Sequence, residues 1–192
     1  MKHTKIQVML IGLLMVAAAS AEQPAATKCS ISTSERQVIA NQLFFFERAA
    51  DNREFAACTQ MAHGSSLEKQ AIELQESGVV NEGDTAETIN KKVGALQNSA
   101  AILYGTAAEN FDQAAVNQRQ VVKFSARLGK LEKQRHAQTC EQNLKMRADA
   151  AIQAASEASE RAAMAYDSAN VPANAALASQ QAAVWLEKLA IR

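Results

Sequence analysis

Residues 84–131 read DTAETINKKVGALQNSAAILYGTAAENFDQAAVNQRQVVKFSARLGKL, and this stretch decides the fold class. Apolar residues recur in it at alternating steps of four and three: Ile89, Val93, Leu96, Ala100, Leu103 and Ala107, then Ala114, Val121, Phe124, Leu128 and Leu131. That spacing is one face of an α-helix, and no proline interrupts it between Asp84 and Ala169. Asn110 and Asn117 fall on the same face and are expected to form register-setting polar layers. Asp84 with Glu87 offers the cap that opens the helix.

Toward the N-terminus, residues 78–84 (Gly-Val-Val-Asn-Glu-Gly-Asp) are the most turn-rich stretch of the chain. Before them a helix is expected from a capping box at Ser32 and Glu35, or at Ser34 and Gln37 in the next frame. Its stripe is Ile39, Leu43, Phe46, Ala50, Ala57 and Met61, with a polar layer at Arg53 or Glu54. His63-Gly64-Ser65-Ser66 reads as a break, either a kink or a hairpin, before a second piece that carries Leu67, Ala71, Ile72 and Leu74 and stops at Gly78.

Toward the C-terminus the seam fails between Gln134 and Gln142, where a reversal is expected. It resumes at Leu144, Ala148, Ile152, Ala155, Ser159, Ala162 and Tyr166. These residues are mostly small, bury little area and must lean on larger side chains from neighbouring helices. Mid-helix, the Ser159 hydroxyl is placed to bond back to a carbonyl one turn earlier. Asn170-Val171-Pro172 ends that helix, and a short last one carries Leu177, Val184, Trp185 and Leu189. The expected fold is all-α: an elongated antiparallel helical bundle with coiled-coil packing, three long arms and a short C-terminal helix.

Composition agrees. With 7 Gly and 2 Pro in 192 residues, the chain lacks the turn residues of a β-sandwich or barrel, and 48% hydrophobic residues exclude a disordered composition. Residues 1–21 read as a cleavable secretory signal: Lys2, His3 and Lys5, an apolar run from Val8 to Ala18, and Ala19-Ser20-Ala21 before Glu22. Residues 22–31 are expected to be an extended arm, and 32–192 a single bundle domain. Cleavage after Ala21 leaves 18 basic against 20 acidic residues, no footprint for nucleic acid or an anionic membrane. The expected destination is the periplasm or the extracellular space and cell surface, with no integral membrane span in the mature chain.

Cys29, Cys58 and Cys140 survive that cleavage and would meet an oxidising compartment. If residues 34–77 rise and the chain descends after 78–84, residue n faces roughly residue 162−n, which brings Cys29 toward Cys140. The expected disulfide is Cys29–Cys140, with Cys58–Cys140 as the alternative if Gly64 is a hairpin. His136 and Cys140, four apart, could hold half a metal site, but two ligands are not a site, so no metal and no cofactor is expected. No phosphate loop, nucleophile elbow, His-Glu-x-x-His or calcium loop is present, and no catalytic residue is assigned.

The candidate contact patch is Leu43, Phe44, Phe45 and Phe46. Four consecutive helical residues point around most of the circumference, so they imply either an exposed patch or a helix buried on two sides. In its signal segment, Ala/Gln-rich helices and sparse cysteines the chain resembles two groups, small periplasmic helical subunits of bacterial type IV secretion machines and alanine-rich helical surface proteins of trypanosomes. The likeness is architectural and carries over no residue. The functional expectation is an exported, non-catalytic structural or protein-interaction component, with a protein partner or homo-oligomer. The alternative is a carrier of an apolar small molecule held between helices around Phe44–Phe46, Phe111 and Phe124.

Overall fold

The computed structural model describes residues 31–77 and 84–192. The expected signal segment, its cleavage site, all of the arm but Ile31, Cys29 and most of the 78–84 turn lie outside them. Four helices follow one another: α1 (Thr33–Ser77), α2 (Ala86–Arg127), α3 (Leu131–Ser168) and α4 (Pro172–Ala190). This is the expected all-α bundle of three long helices and one short one. Successive helices run antiparallel, and α2 is the hub, packed along its length against α1 on one side and α3 on the other. α4 returns along α3. At 1.5 Å per residue α1 is about 67 Å long.

The break expected at His63–Ser66 is not there: α1 runs unbroken from Thr33 to Ser77. Gly64 is a packing position. The buried residues of α1 include Leu43, Ala50, Ala57, Gly64 and Ala71, each seven after the last, so one narrow row of small side chains lies on α2. A Cβ on Gly64 would stand 2.5 Å from the ring of Tyr104 in α2. The same device recurs twice in α2, where Gly94 receives the ring of Tyr166 from α3 and Gly105 that of Trp185 from α4. Three helix pairs are thus joined by a ring seated on a bare backbone.

The α2 seam is buried at Ile89, Val93, Ala100, Ala107, Ala114 and Val121, and burial extends to Ala101, Ala108, Phe111 and Ala115 because partners flank the hub on both sides. Leu131, expected on this seam, is exposed and belongs to α3. The reversal expected between 134 and 142 comes earlier, at Leu128–Lys130. Gly129 adopts φ 69° there; its N–H bonds the Ala126 carbonyl at 3.0 Å, and the Lys130 N–H bonds that of Ser125 at 2.9 Å. Asn170, at φ 53°, closes α3 in the same way through Tyr166 and Asp167, and Pro172 then opens α4. Thr85, not Asp84, caps α2, accepting from the Thr88 N–H at 3.2 Å, while Asp84 pairs with Lys92.

The expected α3 row is buried throughout, from Leu144 to Tyr166, and Phe111 and Trp185 supply the bulk its alanines lack. Ser159 Oγ donates to the Ala155 carbonyl at 2.9 Å. Asn110 forms the expected polar layer: it accepts from Arg53 and donates to Gln60, each at 2.9 Å. A second layer joins three helices. Tyr104 donates to Glu68 at 2.7 Å, Arg161 pairs with Glu68, and Arg161 Nε donates to the buried Gln97 at 3.2 Å.

Two measurements test this packing. Gly64→Ala would ordinarily strengthen a helix, but Tyr104 is buried and tethered to Glu68, so urea unfolding should show a net loss of about 1–2 kcal/mol. Burial raises the Tyr104 phenol above its ordinary value of 10.0, and the Glu68 carboxylate adds to the rise against a smaller opposing effect of Arg161. The folded state therefore keeps this proton to higher pH than the unfolded chain, so the contribution is complete below pH ~10 and fades as pH rises further. Wild-type Tm should fall above that pH more steeply than the Tm of Tyr104→Phe.

Candidate functional site

With its small-residue row committed to α2, α1 leaves its opposite side open. Phe44 is 59% exposed, Phe45 64% and Phe55 74%. The expected patch therefore divides. Leu43 is buried with Val121 and Ala137, and Phe46 stacks on Phe124 with 5.7 Å between ring centres, while Phe44 and Phe45 face outward. Burial of this run on two sides is not what occurs, because the central helix is α2. Phe55 belongs to the surface and was missed. It lies eleven residues after Phe44, three helical turns, and so shares its face.

Between α1 and α3 the backbones stay apart, and the gap is spanned by charge. Glu47 pairs with Lys133, Glu54 with Arg147 and Glu68 with Arg161. Arg147 also lies 4.3 Å over the Phe111 ring and donates to Cys58 Sγ at 2.8 Å. A surface groove beside this arginine is lined by Glu54, Cys140, Asn143, Met146 and Ala150.

Among the described residues no cysteine pair is formed, and Cys58 and Cys140 carry free thiols. The spacing Cys58–Arg147 sets Cys140 seven residues lower on α3, roughly 10 Å along the axis, too far for the alternative Cys58–Cys140 bridge. Cys29 lies outside the described residues. The register argument that led from it to Cys140 assumed a chain still descending at residue 133, and that step is corrected by the turn at Gly129.

Cys140 Sγ lies 3.6 Å from His136 Nε2. Burial pushes this thiol up, and Glu54 and Asp51 push it further, which disfavours the thiolate that metal binding and nucleophilic attack require. No cluster of three metal-ligating side chains occurs among the described residues. Nor is any described helix long and apolar enough to cross a membrane. A smaller apolar groove lies between α2 and α4, formed by Ile102, Leu177, Val184 and Trp185.

Thiol labelling distinguishes the two cysteines. At pH 7.5 Cys58, which is exposed, should react with iodoacetamide at least about tenfold faster than Cys140. Peptide mass spectrometry over a time course reads both sites. Equal rates would mean that Cys140 is not shielded in the α1–α3 groove. No protein-family model, curated protein or solved structure matches the chain.

Proposed function

We propose that the chain is an exported helical interaction component whose working surface is the outer face of α1. The observation that carries this reading is the exposure of Phe44, Phe45 and Phe55 on one side of a helix whose other side is fully engaged with α2. Exposed rings concentrated on one face favour a protein contact over a solvated surface. Export rests on the N-terminal pattern of residues 1–21 and gives Glu22 as the mature N-terminus. The carrier alternative has less support, since its rings do not converge: Phe44 and Phe45 face solvent, Phe46 stacks on Phe124, and Phe111 is packed among alanines beneath Arg147.

Site-specific photo-crosslinking in the producing cell tests the surface. A photoreactive residue at 44 or 55 should give a discrete protein adduct, and one at the exposed positions Lys91 or Glu160 should give none. Equal labelling at all four positions would remove α1 as the working face. Intact mass of the product tests export: the chain should begin at Glu22.

A further inference from the structure

The exposed rings of α1 do not stand alone. At 100° per residue Phe44, Arg48, Asp51 and Phe55 fall within about 60° of arc, and all four are exposed. Their order is aromatic, basic, acidic, aromatic at steps of four, three and four. Such a stripe is complementary to itself when reversed. Lay a second α1 antiparallel on the first, about a two-fold axis at the level midway between residues 49 and 50, and residue n faces residue 99−n. Phe44 then meets Phe55 of the second copy, and Arg48 meets its Asp51. The two-fold axis repeats both pairs. Phe45, 100° round from Phe44, lies outside the stripe.

Charge supports the same occupant. Glu47, Glu54 and Glu68, on the neighbouring side of α1, are each paired with a basic residue of α3. Arg48 and Asp51 take part in no ion pair among the described residues, and Arg48 instead lies 5.8 Å over the Phe44 ring. An unpaired base and an unpaired acid are therefore left one turn apart, between two exposed rings, at positions where each meets its opposite in an isologous contact. A different protein would call for complementarity to itself, not for a stripe complementary to its own reverse.

We propose that the protein forms a two-fold dimer through this stripe, with α1 antiparallel to α1 of the second copy. The proposal rests on the reading of this face as a protein contact and names the partner. From Asn41 to Cys58 the contact spans about 26 Å, a small interface, so the dimer dissociates in the micromolar range.

Sedimentation equilibrium of the purified protein, with helicity and Tm of every variant checked first, decides the matter. Arg48→Asp and Asp51→Arg should each weaken the dimer at least about tenfold, because each sets like charges face to face. The double variant Arg48→Asp/Asp51→Arg exchanges the pairs and should restore wild-type affinity to within about threefold. An equimolar mixture of the two single variants should form the heterodimer that neither forms alone. A wild-type protein still monomeric at about 500 μM overturns the proposal, as does a dimer indifferent to both reversals. If the wild type is monomeric while photoreactive residues 44 and 55 still give a protein adduct, the dimer is lost and the interaction reading stands.

Discussion

Close approach of backbones through alanine and glycine is the constraint on which this bundle depends. One helix, α2, is gripped by two long partners, and Trp185 reaches it from α4. A hub can be surrounded in this way only if the side chains at the contacts are short, because a row of leucines would hold the axes farther apart. Ala50, Ala57, Gly64 and Ala71 in α1, and Ala148, Ala151, Ala155 and Ala162 in α3, meet that condition. The cost is a core that gains little from each residue, since burying a methyl group contributes far less than burying an isobutyl. Length offsets it, and so do the buried rings of Tyr104 and Tyr166 and the partly buried ring of Trp185, each where a glycine makes room.

Specificity then has to come from elsewhere, because a row of alanines fits a neighbouring row almost equally well after sliding one heptad. The polar layers supply it. Asn110 is satisfied by Arg53 and Gln60 together, and Glu68 is shared by Tyr104 and Arg161. A one-heptad slip of α1 would strand the buried Asn110 and part Glu68 from Tyr104, and one of α3 would take Arg161 from the buried Gln97. At the far end Arg192 plays a similar part, pairing with Asp112 of α2 and Asp149 of α3 and so fixing where α4 ends.

The helical class, the number of long helices and the α3 seam were legible in the sequence because period and breaker content are local signals. Asn110 and Ser159 were legible for the same reason. The glycines were misread at two points, for one physical cause: a glycine marks either a backbone that needs positive φ or a neighbour that needs space, and the sequence around it does not say which. Gly129 is the first kind and sets the α2–α3 turn, whereas Gly64 is the second and lies inside a continuous helix. The aromatic run at 43–46 was legible as unusual. Which of its members faced solvent was not, because that depended on α2, not α1, being the hub.

The same packing logic explains why three rings stand outside. Of the nine aromatic residues, Tyr104, Tyr166 and Trp185 occupy glycine sites, Phe111 lies in the alanine core beneath Arg147, and Phe46 and Phe124 stack on each other. Three of these rings sit where a glycine leaves a hole. The one glycine of α1 is already filled by Tyr104. Phe44, Phe45 and Phe55 have no such glycine opposite them. They sit in sequence positions that the helix period directs away from α2, on either side of a base and an acid that the bundle leaves unpaired. The order of Phe44, Arg48, Asp51 and Phe55 makes that stripe complementary to its own reverse.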